Sequence, residues 1–276
     1  MSAVVIIPAR WASTRFPGKP LYEIAGKPLL QHVWERCRRA RKIDATIIAT
    51  DDMRIAGAAI AWGAEVALTS PKHESGTDRI AEVVKRSKKL SIIVNVQGDE
   101  PLVDPRLIDR MVEKLRKNRD FGIVTAAHPF DDPRDAASPH QVKVVIDRAD
   151  RALYFSRAAI PSSRSGVFPA AGQVSQPAMF GISQVRKLAP LRGRGGSLFL
   201  RHQGIYGFRR ATLLQFVQWK PTPLERCESL EQLRALENGV TVHVLVTKHG
   251  SPGVDTPADA EAVAASLRGH NPRRAR

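Results

Sequence analysis

"VVIIPARWASTRFPGKP", residues 4–20, joins four aliphatic residues to a loop that carries Arg10, Arg15 and Lys19. A continuous apolar run reads as a strand buried on both faces, the habit of parallel sheets. Runs at 45–50 (ATIIAT), 65–69 (EVALT) and 91–97 (SIIVNVQ) repeat the signal, and helical patterns fall between them. Residues 28–41 place Leu29, Leu30, Val33, Trp34 and Cys37 on one face, with Pro28 in the first turn. Residues 52–62 close on Gly63, residues 77–87 turn Ile80, Val83 and Val84 inward behind Thr77 as cap, and 105–118 opens on Asp104-Pro105. This alternation predicts an α/β fold, a mostly parallel sheet with helices on both faces. Ligands of such sheets bind beyond the carboxyl ends of the strands.

The second half changes character. "VKVVIDRADRALYFSR" (142–157) predicts an antiparallel hairpin around "DRAD". Residues 161–197, rich in Pro, Ser, Gly and Arg, read as a long loop or insertion. A strand at 202–210, helices at 211–218 and 226–238, a strand at 241–247 and a helix at 257–267 complete the pattern. No flexible linker interrupts it, so residues 1–268 are expected to form one domain, followed by a basic tail at 269–276.

No apolar run approaches the roughly 20 residues that span a bilayer. "MSAVVIIPAR" lacks the basic start and the long apolar stretch of a secretory signal, which predicts a cytoplasmic protein. Cys37 and Cys227 are the only cysteines, too few for a disulfide framework or a Cys-rich zinc site. The net charge of +16 gathers in "RCRRARK" (36–42), "KRSKK" (85–89), "LRGRGG" (191–196) and "PRRAR" (272–276). Such a surplus suits anionic partners, or is a solvated basic surface. No nucleic-acid-reading motif accompanies it.

The strand ends hold the chemistry. The 10–19 loop lacks the GxxxxGK[ST] spacing of a P-loop. Its amides, the hydroxyls of Ser13 and Thr14 and the cations Arg10 and Lys19 nevertheless suit a chain of phosphates. In "NVQGDEP" (95–101), Asp99 and Glu100 follow a strand and Gly98, either to hold Mg²⁺ or to cap a helix ahead of Pro101. "HESGTDR" (73–79) sets Ser75, Gly76 and Thr77 before a helix, where free amides attract an anion or a polar base edge. In "GVDTPADA" (253–260), Asp255 is either a helix cap or, if it meets Asp99, the second carboxylate of a metal site. His32 and His243 read as structural, and Trp34, Trp62 and Trp219 as core.

Seven stretches, in order and spanning nearly the whole chain, resemble the 3-deoxy-manno-octulosonate (Kdo) cytidylyltransferases, the CMP-Kdo synthetases. They are "VVIIPARWASTRFPGKPL", "ESGTDRIAEV", "IVNVQGDEPL", "VKVVIDRADRALYFSRAAIP", "RHQGIYGFRR", "PLERCESLEQLRAL" and "GVDTPADAEAV". The resemblance implies a nucleotide-diphospho-sugar transferase fold, Rossmann-like and mixed, with an embedded antiparallel hairpin. It implies CTP and Kdo as substrates, Mg²⁺ as cofactor, CMP-Kdo and pyrophosphate as products, and a homodimer. It also implies roles. Arg10, Ser13 and Lys19 match the CTP-phosphate loop, and Ser75, Gly76, Arg79 and Gln97 match positions near cytosine and ribose. Asp99 and Asp255 match the metal carboxylates. Arg157, His202, Tyr206, Glu228 and Gln232 match the sugar-acid region, with Arg157 as clamp for the sugar carboxylate. Glu74 stands where the family commonly has Gln. Two alternatives stay open: another acid sugar such as the 8-amino analogue of Kdo, and a basic nucleic-acid-binding protein on the same fold.

Overall fold

The computed structural model describes residues 1–12, 16–162 and 199–269. Ser13, most of the 161–197 loop and all but the first residue of the 269–276 tail lie outside them. The strands are β1 (Ser2–Ala9), β2 (Glu23–Ile24), β3 (Lys27–Pro28), β4 (Ala45–Thr50), β5 (Glu65–Leu68), β6 (Leu90–Asn95), β7 (Ile123–Pro129), β8 (Lys143–Ile146), β9 (Ala152–Ser156), β10 (Leu200–Arg209) and β11 (Val242–Val246). The helices are α1 (Leu29–Cys37), α2 (Met53–Ala61), α3 (Gly76–Lys85), α4 (Pro105–Lys117), α5 (Arg210–Phe216), α6 (Pro223–Glu228), α7 (Gln232–Glu237) and α8 (Pro257–Gly269).

The main sheet runs β11-β7-β10-β6-β1-β4-β5, with β8 paired to β10 and β9 to β8. β1 is parallel to both β4 and β6, β4 to β5, and β7 to β11. Only β10, wedged between β6 and β7, runs antiparallel within that row. The expected mixed, mostly parallel sheet is therefore present, and β8–β9 is the expected hairpin. Alternate residues of β1 face two cores. Ala3, Val5 and Ile7 pack with Leu30, Val33 and Trp34 of α1, Ile55 of α2 and Ile108 of α4. Val4 and Ile6 pack with Ile80 and Val84 of α3, Leu213 of α5 and Leu233 of α7. This double burial is why residues 3–9 of the strand carry no polar side chain.

Three local expectations are corrected. β7 fell in a stretch given no element, because its run, IVTAAHP, mixes buried Thr125 and His128 with aliphatics. The cap of α3 is Ser75, whose oxygen accepts from the Asp78 N–H, and Thr77 already lies in the first turn. The single helix expected over 226–238 is two. α6 ends at Ser229, which sits in the left-handed region (φ 52°, ψ 48°), and α7 restarts at Gln232.

His32 and His243 are structural as expected. His32 Nε2 bonds the Ile24 carbonyl at 2.6 Å, and His243 is buried with its ring stacked 4.8 Å from that of Phe121.

Candidate active site

The loop after β1 is folded back by the Gly18 N–H, which donates to the Trp11 carbonyl at 3.5 Å. Gly18 is left-handed (φ +70°), and a Cβ there would lie 3.2 Å from the Trp11 ring. Only glycine meets both demands without strain. The fold-back opens the short 3₁₀ turn Lys19–Leu21 and directs Lys19 across the strand ends. Its Nζ lies 2.7 Å from Asp99 Oδ2 and 3.3 Å from Asp255 Oδ1. Arg10 stands exposed at the end of β1.

Residues 99 and 255 converge through the backbone. The Val254 N–H donates to the Asp99 carbonyl at 2.9 Å, and Val254 is fully buried among Phe16, Ile24, Leu29, Ala260 and Val263. Asp255 does not cap α8: Asp259 accepts from the Asp255 and Thr256 N–H groups, and the Thr256 hydroxyl takes the Asp259 N–H. The Asp255 carboxylate is left to face Lys19. The adjoining acid goes the other way. Glu100 is only 8% exposed, and burial, reinforced by the Asp99 charge, pushes its carboxyl up to about 8. Gly98 and Gly76 both pack against Pro8 in β1. Cβ atoms there would lie 3.1 Å from the Pro8 carbonyl oxygen and the Pro8 ring respectively, so both glycines serve protein packing.

Gln97, two positions before Asp99, helps line a cavity of about 180 Å³ with Thr77, Gly204, Tyr206, Glu231 and Gln232, and Ile123, Phe208 and Phe216 form its apolar lining. Glu231, not among the expected site residues, accepts from the Ser75 hydroxyl at 3.3 Å and the Thr77 hydroxyl at 3.1 Å. Burial raises its pKa, and burial likewise raises that of the Tyr206 phenol, which stays protonated as a donor. Gln97 therefore borders the same space as Tyr206 and Gln232, and Ser75 is tied to it through its bond to Glu231. The His202 ring lies 5.4 Å from that of Tyr206.

Arg157 and Glu228 meet each other. The Arg157 N–H donates to Glu228 Oε2 at 2.8 Å, while its guanidinium donates to the carbonyls of Glu228, Ser229 and Pro139 at 2.8, 3.4 and 3.1 Å. Burial acts upward on the Glu228 carboxyl, but donors from Arg157, Ser156 and Tyr154 outweigh it and hold the pKa below the usual value. Beneath them Lys143 is fully buried, a feature missed from sequence. Its Nζ donates to the carbonyls of Ser138, Gln141 and Arg157 at 2.8, 2.7 and 2.5 Å. Arg79 stands apart from these groups. It is 4% exposed, paired with Asp51 Oδ1 at 2.8 Å and bonded to the Thr69 hydroxyl at 2.6 Å, so its guanidinium ties α3 to the ends of β4 and β5.

The Asp99–Asp255 pair fits Mg²⁺ by its donor set: two hard carboxylates, 32% and 54% exposed, already converging on one cation, the Lys19 ammonium. Among the described residues no three His, Cys, Asp or Glu side chains gather to hold a metal. Mg²⁺ does not need such a cage, since it is commonly held by one or two carboxylates, water and substrate phosphates.

Residues 4–243 match the family model described as cytidylyltransferase. The 3-deoxy-manno-octulosonate cytidylyltransferase of Marinobacter nauticus is 46% identical over 265 residues, covering 94% of each chain. That of Geobacter sulfurreducens is 45% identical over 268 residues, 97% of this chain and 100% of the other. A solved CMP:2-keto-3-deoxy-manno-octonic acid synthetase complexed with CTP superposes with a TM-score of 0.84 at 36% identity, covering 98% of this chain and 100% of that one. A 4-diphosphocytidyl-2C-methyl-D-erythritol synthase (TM-score 0.59, 14% identity) shares the fold alone. With its mixed sheet, its cationic first loop and its paired carboxylates, this chain belongs to the 3-deoxy-manno-octulosonate cytidylyltransferase family of nucleotidyltransferases.

Proposed function

We propose that this protein transfers the cytidylyl group of CTP to the anomeric hydroxyl of Kdo. The hydroxyl oxygen attacks the α-phosphorus, the bond from that phosphorus to the bridging oxygen breaks, and pyrophosphate leaves. The hydroxyl proton passes to solvent or to the released pyrophosphate. The observation that carries this reading is the meeting of Lys19 with Asp99 and Asp255 beyond the strand ends, two positions along the chain from Gln97, which borders a cavity together with Tyr206 and Gln232.

Transfer of this kind needs charge neutralised and reactants aligned more than it needs a protein nucleophile. Lys19 and Arg10 are the cations placed to take up charge growing on the leaving pyrophosphate. Asp99 and Asp255 would hold Mg²⁺, which when bound would supply positive charge to offset that of the phosphates. Ser75, Gly76 and Gln97 sit where the nucleoside would lie against the start of α3, and Ser13 belongs to the phosphate loop. Arg79 acts from behind, fixing α3 to the strand ends. In the sugar region Tyr206 and Gln232 supply neutral hydrogen-bonding groups, and His202 stands beside Tyr206. Glu228 holds Arg157, of whose five guanidinium hydrogens the observed bonds use three, which leaves two for the sugar carboxylate. A homodimer in the cytoplasm completes the reading. Among the described residues no helix is long and apolar enough to cross a membrane.

The deciding assay is pyrophosphate release with Mg²⁺ and CTP, with and without Kdo, beside UTP, GTP and ATP. Release that requires both CTP and Kdo is expected. CTP turnover only with the 8-amino analogue would replace the sugar, and nucleotide binding without any sugar-dependent turnover would reject the transfer.

A further inference from the structure

The strand β10 is not regular where it matters. Gln203 pairs with Ala126 of β7, but Tyr206 pairs with Thr125, so Gly204 and Ile205 are two residues opposite none. In an unbroken strand, residues four apart lie about 13 Å from each other. Here the bulge brings the rings of His202 and Tyr206 to 5.4 Å, and it breaks the ladder of main-chain hydrogen bonds beside them.

Thr125 fills that break. It is fully buried in β7, and its hydroxyl lies 2.8 Å from the Ile205 carbonyl, 3.3 Å from the Gln203 carbonyl and 2.9 Å from His202 Nε2. A hydroxyl has one hydrogen, and a carbonyl can only accept. If the hydrogen pointed to His202, the hydroxyl lone pairs would face two carbonyl oxygens. It therefore goes to a carbonyl, and the hydroxyl oxygen accepts from His202 Nε2–H. We propose that Thr125 is a positioning residue that fixes His202 in the neutral form protonated on Nε2, leaving Nδ1 as a hydrogen-bond acceptor for a hydroxyl of the polyhydroxy acid substrate.

The rest of the surroundings agree. His202 is half-buried, with its ring edge-on to Phe155 at 5.0 Å, and burial pulls its pKa down to about 3, so the ring is uncharged at neutral pH. Among the described residues Nδ1 meets no hydrogen-bond partner, and it is not one of the sealed orphan nitrogens, as Nδ1 of His243 is. A ring held this way selects a donor and gives nothing to a carboxylate, which matches the division of labour with Arg157. The choice of a substrate hydroxyl as partner rests on the proposed function above.

The test joins a spectrum to kinetics. Long-range proton–nitrogen spectra of histidine-labelled protein, with His202 assigned by its loss in His202→Asn, are expected to show the Nε2–H tautomer. In Thr125→Val, which keeps the branched shape, the tautomer lock is expected to go and the Kdo KM to rise roughly 3- to 12-fold, the loss of one neutral hydrogen bond. The CTP KM should stay put, and Thr125→Ser should restore both the spectrum and the Kdo KM. An Nδ1–H tautomer in the unsubstituted protein, or His202 signals unmoved in Thr125→Val, would overturn the positioning role. The expected tautomer with an unchanged Kdo KM in Thr125→Val would overturn the recognition role. Absence of Kdo-dependent turnover in the unsubstituted protein would sink the functional reading instead, while the tautomer would still be read from the spectrum.

Discussion

Lys19→Met separates two roles that one ammonium combines. Its Nζ lies 2.7 Å from Asp99 and 3.3 Å from Asp255, between the oxygens that a Mg²⁺ ion would use. An incoming dication either stays beside the ammonium or displaces it. At about 4 Å in a water-like dielectric, a dication and a unit charge repel by about 2 kcal/mol, twice the value for two unit charges. Displacement instead breaks two ion pairs of about 0.2–1 kcal/mol each. Displacement thus costs about 0.4–2 kcal/mol and cohabitation about 2 kcal/mol, with the lower end favoured because Asp99 is 32% and Asp255 54% exposed. Lys19→Met is therefore expected to bind Mg²⁺ roughly 2- to 30-fold more tightly in the absence of nucleotide, while turnover of CTP collapses. Titration calorimetry of Mg²⁺ into nucleotide-free protein, beside pyrophosphate release, reads both. Unchanged or weaker Mg²⁺ affinity would refute the shared site, and tighter binding with unimpaired turnover would refute the place of Lys19 on the phosphates.

Lys143→Met leaves the carbonyls of Ser138, Gln141 and Arg157 without their donor and is expected to cost about 3 kcal/mol of stability. A shift in the urea midpoint worth less than about 1 kcal/mol would count against the knot. Arg209→Lys keeps the charge but cannot span the carbonyls of Leu115, Asn118 and Phe121 that the guanidinium meets at 2.5, 2.6 and 2.9 Å, and should lose about 2 kcal/mol. An unfolding midpoint matching that of the unsubstituted protein would contradict this. Burial lowers the pKa of His243 to about 4, so below about pH 6.5 the unfolded chain takes up a proton that the native one refuses. Stability is therefore complete above that pH and falls by up to about 1.4 kcal/mol per pH unit down to about pH 4. His243→Phe, which keeps the stack on Phe121, should flatten the slope of melting temperature between pH 7 and 5, and an equally steep slope would show that His243 is not its source.

What the sequence disclosed was what neighbours in the chain decide. β1, β4 and β6 were legible because burial on both faces demands unbroken aliphatics, and the strand-end loops because Gly, Asp and Lys stand together there. The Lys19–Asp99–Asp255 meeting was only half legible. Spacing offered two carboxylates, but the contact that joins them, Val254 N–H to the Asp99 carbonyl, spans 155 positions. Ser229 hid the break between α6 and α7, since a left-handed residue other than glycine is set by its surroundings, here the buried Leu230 and the Arg157 guanidinium on the Ser229 carbonyl. Lys143 read as one polar residue in a strand, because its three acceptors come from elsewhere. The bulge that pairs His202 with Tyr206 has Gly204 as its single local mark, and Thr125, its key, lies in the strand that periodicity missed.

Part of the +16 charge reflects how the described residues of this chain use arginine. Guanidinium groups of Arg36, Arg110, Arg116, Arg157, Arg209 and Arg210 donate to main-chain carbonyls of Leu102, Val246, Met1 and Lys42, Glu228 and Ser229, Leu115 and Asn118, and Val84. A carbonyl satisfies a donor without cancelling its charge. Each such staple therefore adds a positive charge for which the fold requires no acid, unlike Arg79 with Asp51 or Arg234 with Glu225. The planar fork reaches two or three carbonyls at loop ends and helix termini, where lysine would reach fewer. The share of the charge built this way arises from stapling the backbone and does not by itself call for a polyanion as partner. Two cations differ in kind: Lys19 faces the carboxylates of Asp99 and Asp255, and Arg10 stands exposed at the end of β1. Among the described residues, the stapling arginines answer to the architecture, and these two stand at the strand ends where the proposed chemistry lies.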